Sequence, residues 1–287
     1  MTETLEFDDT GLNRWTDDER FEVTRERLAE YAAATNDPIG AHRNGDIAPP
    51  VFAIVPVFEA LLMPAVDVMP IEAIPRVVHG EQDFHFHRPI RPGDKLVSRA
   101  KMIGYQGLEK GTRAAIVLEC RTEDGELVNE QYVTTFVRGL NVGKAVGELS
   151  PDHKFDDALR NSAPTAKVVQ HIDNDQTFRY SSAAGDPMPI HLDEEVARST
   201  GLPGIIAHGL CTMAFTSWAV LTELADSDVN RLKRFAVRFS KPVLPGDDFE
   251  TRIWRKAQAN GSTNYAFETA RGNDFVITDG LAEISDR

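Results

Sequence analysis

The chain has 287 residues, with 31 Lys plus Arg against 45 Asp plus Glu, a net charge of -14 and a sequence pI near 5.0. Its 41% hydrophobic content is enough to bury a substantial core, and the length fits one large domain or two of about 100–200 residues, which excludes a disordered tail or a fibre. The acidic balance argues against a nucleic-acid surface, since such binding needs a broad face of Lys and Arg to displace counterions.

The N-terminus, with Glu3, Glu6, Asp8 and Asp9, lacks the basic start and apolar centre of a secretory signal. The two cysteines, Cys120 and Cys211, give neither a disulfide framework nor metal-ligand pairs. A reducing, cytoplasmic location is the expectation. Further along, Phe21-Glu-Val reads as a short extended piece leading to a helix capped by Thr24. The apolar run Val51 to Ile71 follows, but it contains Pro56, Glu59, Pro64 and Asp67. No membrane span is expected from it, because a span needs ~20 predominantly apolar residues. It reads as a buried helix that the two prolines kink or interrupt. Four strand-like stretches come next, near 77–87, 95–105, 112–121 and 126–138, with Asp124-Gly125 as a hairpin turn.

The second half runs through the same order. Lys167 to Ile172 is extended, a helix capped by Asp173 or Asp175 follows, and Gly204 to Ala225 is a second buried helix, also unsuited to a bilayer because of His208 and Glu223. Strand-like segments at 235–243, 249–258, 263–270 and 275–284 complete it, separated by Pro245-Gly246-Asp247, Asn260-Gly261 and Gly272-Asn273. The agreement extends to motifs. Tyr31-Ala-Ala-Ala-Thr-Asn-Asp37-Pro38 matches Tyr180-Ser-Ser-Ala-Ala-Gly-Asp186-Pro187, and Arg88-Pro-Ile-Arg-Pro-Gly-Asp94 matches Lys241-Pro-Val-Leu-Pro-Gly-Asp247. Two motifs recurring in one order at nearly one offset argue for two tandem copies of a fold. The predicted fold class is α+β: residues 1–143 and 166–287 each form an antiparallel sheet wrapped around a long central helix, joined by a linker at 144–165. This is the hotdog arrangement, doubled.

The stretch Tyr180-Ser-Ser-Ala-Ala-Gly185-Asp186-Pro187-Met188-Pro189-Ile190-His191, with His208-Gly209 after sixteen intervening residues and the Pro-Gly-Asp247 turn further on, resembles the MaoC-like (R)-specific enoyl-CoA hydratase family in its double-hotdog form. The resemblance spans nearly the whole chain. It implies reversible hydration of trans-2-enoyl-CoA to (3R)-3-hydroxyacyl-CoA, with an acyl-CoA thioester as ligand and neither metal nor redox cofactor. It also implies catalytic roles for Asp186, His191 and Gly209. One position departs: the family reads Asp-x-Asn-Pro-x-His, and Met188 stands where the Asn would be, bringing a thioether that accepts hydrogen bonds weakly and donates none.

Those residue types suit the reaction. Hydration of a conjugated thioester needs a group to take a proton from water as its oxygen attacks C3, a proton for C2, and donors for the charge that develops on the thioester oxygen. Asp186 and His191 serve the proton transfers, with the choice of which faces C2 left open. Gly209 offers a main-chain N–H that a ligand can approach closely at a helix N-terminus. In the first copy Asp37 and His42 keep the five-residue spacing, yet Pro49-Pro50-Val51-Phe52 replaces the His-Gly. That copy is read as non-catalytic and as shaping the acyl pocket, with Phe52 and Phe58 among its lining. Arg231, Lys233, Arg234, Arg238 and Lys241 put five positive charges into an acidic chain, and Arg234, Arg238 and Lys241 are the candidates for the coenzyme phosphates.

Several residues are given a structural role instead. His85 and His87 share one strand face but lack a third ligand nearby, and His208 is read as a loop-holding partner. A hotdog thioesterase is disfavoured because Gly204 to Thr222 contains no Asp or Glu. A non-catalytic acyl-CoA-binding subunit is the alternative that Met188 motivates. Tandem copies supply internal twofold symmetry, and association into a homo-oligomer of the doubled chain stays open.

Overall fold

The computed structural model describes residues 5–286. Its strands are β1 (Glu19–Glu22), β2 (Val77–Phe86), β3 (Lys95–Leu108), β4 (Gly111–Thr122), β5 (Leu127–Arg138), β6 (Ala145–Gly147), β7 (Ala166–His171), β8 (Leu232–Phe239), β9 (Asp248–Ala259), β10 (Ser262–Arg271) and β11 (Asp274–Ser285). The helices are α1 (Arg25–Ala34), α2 (Gly40–Arg43), α3 (Met63–Val68), α4 (Gln176–Ala184), α5 (Glu194–Ser199) and α6 (Gly209–Leu224). No helix among the described residues is long and apolar enough to cross a membrane.

Two compact units emerge, and they do not follow the halves of the sequence. One unit comprises residues 5–21, Pro56–His85 and Lys95–Asp152; the other comprises Glu22–Val55, Phe86–Asp94 and residues 153–286. The region read as a linker is itself structured: β6 pairs with β3 in the first unit. In the second unit, the Phe155 N–H donates to the Asp279 carboxylate at 2.9 Å.

In the first unit the strand order is β1-β3-β4-β5-β2. Alternation of buried and half-buried residues along β3 is the period-2 signature of a sheet with one face in a core. The apolar segment of the first half is not the long helix expected there. A 3-10 helix over Pro50–Val57 gives way to turns, to α3, and to another 3-10 helix over Ile71–Arg76. Pro56 inside the first piece has no N–H to donate and Pro64 opens α3, so an unbroken i to i−4 ladder cannot pass through. The Pro56 carbonyl instead accepts from the Ser98 hydroxyl at 2.8 Å.

The second unit carries the order β8-β11-β10-β9-β7, with α6 against the sheet. From Leu210 to Ser217 every α6 residue is buried, as are Ala219, Val220 and Leu221. A helix apolar on nearly all sides belongs in a core. It starts at Gly209 and not at Gly204, because the Ala207 N–H is bonded to the Val243 carbonyl at 2.8 Å, which holds the preceding segment extended. Helix α1 begins with the Thr24 hydroxyl accepting from the Arg27 N–H at 3.2 Å. Asp175 occupies the N-cap of α4 but makes no capping bond, and its carboxylate pairs with Arg179 at 3.1 Å.

The repeat is visible bond for bond within this unit. Val23 N–H to Asp94 O and Ile172 N–H to Asp247 O are both 2.9 Å, and Gly93 N–H to Val23 O and Gly246 N–H to Ile172 O are both 2.8 Å. Helices α1 and α4 pack together, bringing the Tyr31 and Tyr180 hydroxyls to 3.3 Å.

Candidate active site

Asp186 follows the C-terminus of α4, where Gly185 takes a left-handed φ of 74°. Glycine adopts that conformation without the cost a Cβ would bring, and the turn sends the chain back so that the Asp186 N–H bonds the Ser181 carbonyl at 3.2 Å. The Asp186 carboxylate accepts from the Met188 N–H at 3.1 Å. Pro189 opens a single 3-10 turn, Pro189–His191, which delivers His191 to the same place.

The ring of His191 is fixed by one bond and one stack. Its Nδ1–H donates to the Ile206 carbonyl at 2.9 Å, which leaves Nε2 as the unprotonated nitrogen of a neutral imidazole. Its face lies on His208, centroids 3.8 Å apart and planes 26° from parallel. His208 is almost fully buried, and its Nε2–H donates to the main-chain carbonyl of Asp186 at 3.2 Å. The loop-holding role read from sequence for His208 is therefore the one it has. Ligand-capable atoms of Asp186, His191 and His208 all lie within 4.8 Å of one another.

Burial shifts the titrations of this group. Removal from water pushes the Asp186 carboxyl up, opposed by the Met188 N–H and by His191. The same cause pushes His191 down, opposed by the Ile206 carbonyl and Asp186. His208 falls to about 3, through burial first and proximity to His191 second. A carboxyl raised by burial beside an imidazole kept unprotonated is a pair able to exchange protons with a ligand.

Gly209 is the first residue of α6. Its N–H has no acceptor among the described residues, as the first turn of a helix requires, and the α6 N-terminus favours negative charge there. A Cβ built at Gly209 would come within 3.1 Å of the Phe239 ring, so close packing and an available donor both account for glycine.

The structure does not bring all the sequence candidates to this place. Phe52 is fully buried in the second unit, edge-on to Tyr31 with centroids 5.4 Å apart; it is a core residue and not an open wall. Phe58 belongs to the other unit and is half-buried. Arg234 and Arg238 alternate on β8, on the face opposite Phe239; Arg238 is exposed. Lys241 is exposed and paired with Asp274 at 2.5 Å. His85 pairs with Asp83 at 3.2 Å. What sequence reasoning missed is the stacking of His208 on His191, although the His-Gly motif already marked the position. Asp37 and His42, the first-copy counterparts, are bonded directly at 2.7 Å with both side chains sealed from solvent.

A hotdog-type dehydratase is the class that this architecture and acid–base pair define, and comparison with known proteins agrees. Residues 158–274 match the model of the MaoC like domain, and residues 11–131 match the FAS1-like dehydratase domain region. The chain is 32% identical to a Dictyostelium discoideum protein named probable enoyl-CoA hydratase 2, over 72% of this chain and 70% of that one. A MaoC-like dehydratase from Phytophthora capsici superposes with a TM-score of 0.84 at 24% identity, covering 97% of this chain and 99% of the other. A Mycobacterium tuberculosis protein described as a double hotdog superposes at 0.61 with 12% identity, covering 96% of each. The chain belongs to the MaoC-like dehydratase family.

Proposed function

We propose that the chain hydrates trans-2-enoyl-CoA to (3R)-3-hydroxyacyl-CoA and catalyses the reverse dehydration. The observation that carries this reading is the clustering of Asp186 and His191 with His208, their ligand-capable atoms within 4.8 Å of one another, next in sequence to the unpaired Gly209 N–H, supported by the similarity to a protein named an enoyl-CoA hydratase. With Nδ1 holding its proton on Ile206, His191 Nε2 and the Asp186 carboxylate are two acceptors for a single water. One takes a proton as the water oxygen bonds C3. The C2–C3 π electrons pass to the thioester, and the Gly209 N–H donates to the oxygen that gains charge. The proton then goes to C2, so one water is consumed and both side chains return to their starting states.

The charged end of the ligand extends the same proposal. The coenzyme phosphates are assigned to Arg234, Arg238 and Lys241. Incubation with crotonyl-CoA, following loss of the conjugated thioester's absorbance beside a free-thiol assay, tests the activity. Thiol release without hydration would identify a thioesterase, and neither signal would leave a binding subunit. For the phosphates, the KM for an enoyl-CoA relative to its pantetheine analogue should rise toward one in Arg238→Ala at low salt; an unchanged ratio removes Arg238.

A further inference from the structure

The second unit holds another cavity, of about 230 Å³, at the first-copy counterpart of the active-site mouth. The correspondence rests on main-chain bonds: Ala48 N–H to Ile90 O at 3.0 Å repeats Ala207 N–H to Val243 O at 2.8 Å. Pro49 and Pro50 thus occupy the places of His208 and Gly209, and both line the cavity. Pro50 has no N–H, so the donor for a thioester oxygen is gone. The Asp37 and His42 counterparts are closed on each other at 2.7 Å. The chemistry has been removed here while the space remains.

The walls define what fits. Ala53, Phe86, Ile90 and Leu232 give an apolar interior, and Lys233 lies on the lining with Asn230. The Lys233 ammonium donates to the Asn230 carbonyl at 2.9 Å and pairs with no carboxylate among the described residues. Arg88, the other strong cation on the lining, is already held by Asp94 through two bonds of 2.8 and 3.1 Å. One available cation beside an apolar space selects a single negative charge on a hydrocarbon tail. The volume is below the ~300–1,000 Å³ of sites for drug-sized ligands, which excludes a whole coenzyme-A thioester and suits a short chain.

We propose that this cavity is a non-catalytic binding site for a short-chain carboxylate, its tail among Ala53, Phe86, Ile90 and Leu232 and its charge on Lys233. The proposal stands apart from the hydratase reading, since no catalytic group takes part in it. Calorimetric titration of octanoate into the full chain tests it, with Lys233→Met to remove the charge, Asn230→Trp to cover the mouth, and Asp186→Asn to alter the catalytic cleft alone. The expected result is one site per chain, weakened at least tenfold in Lys233→Met and lost in Asn230→Trp, while both variants keep wild-type hydration of crotonyl-CoA. Octanoate should bind Asp186→Asn as it binds wild type, and octanol, which lacks the charge, should bind at least tenfold more weakly than octanoate. Absence of octanoate binding to wild type, equal affinity in all variants, or competition with crotonyl-CoA that persists in Asn230→Trp would overturn the assignment.

Discussion

The imidazoles of His191 and His208 lie face to face, 3.8 Å between centroids, so a proton on His208 is opposed by His191 as well as by burial. His208, lowered to about 3, stays neutral in the native state, whereas in the unfolded chain it takes a proton near its ordinary value of 6.5. Its contribution to stability is therefore complete above that value and is lost as pH falls from 6.5 toward 3. His191 acts in the same direction. Asp186, raised, acts in the opposite direction at the acid end. Urea midpoints for wild type should decline between pH 6.5 and 4. His208→Gln, which can still donate to the Asp186 carbonyl, should decline less, by up to about 1.4 kcal/mol per pH unit. Parallel declines would mean that His208 titrates normally.

Substitution at the acid–base pair should separate activity from stability. Asp186→Asn and His191→Ala are each expected to lower hydration by ~10²–10⁴ with the fold intact. Asp186→Asn should also raise the melting temperature at neutral pH, because it removes a carboxylate that burial disfavours. Asp37→Asn should show the reverse pattern. It disturbs a fully buried bond to His42 and should cost about 1–3 kcal/mol with much less effect on rate. A folded Asp37→Asn variant as inactive as Asp186→Asn would place the chemistry in the wrong copy.

Met188 offers a backbone test. Its side chain is half exposed at 52%, and its contribution to Asp186 is the main-chain N–H at 3.1 Å. Its φ of −57° is one that proline adopts without strain, so Met188→Pro deletes that donor with little change of path. Losing a bond that lowers the Asp186 titration should move the acid limb of the hydration profile to higher pH. An unmoved limb would assign that limb to another group.

Phe52 should act through stability. Phe52→Ala opens a void beside Tyr31 and is expected to cost ~3–5 kcal/mol, read as a lower urea midpoint. An unchanged midpoint would mean that Phe52 is not a core residue.

The strands were legible because alternation and turn residues speak locally: Asp124-Gly125 and Asn260-Gly261 sit at the hairpin ends of β4–β5 and β9–β10. The cap at Thr24 was legible for the same reason. Pro56 and Pro64 announced an interrupted segment. The start of α6 was not readable, since Gly204 to Ala207 is as apolar as a helix and only the distant Val243 carbonyl holds it extended. Asp186, His191 and Gly209 could be named from their motif, but the His191–His208 stack and the closed Asp37–His42 pair depend on ring orientation, which spacing does not encode. Unit membership escaped as well, because it follows from α1 packing on α4.

Tyr31 and Tyr180 meet hydroxyl to hydroxyl at 3.3 Å, the kind of self-facing contact that two identical subunits make across a symmetry axis. In such a dimer every mutation is made twice, and neither partner can change alone. Here the two tyrosines have separate codons. That independence is what permits Pro49-Pro50 and His208-Gly209 to differ, and it allows an isotope label, a fluorophore or a damaging substitution to be placed on one side of the axis while the other side serves as its internal control.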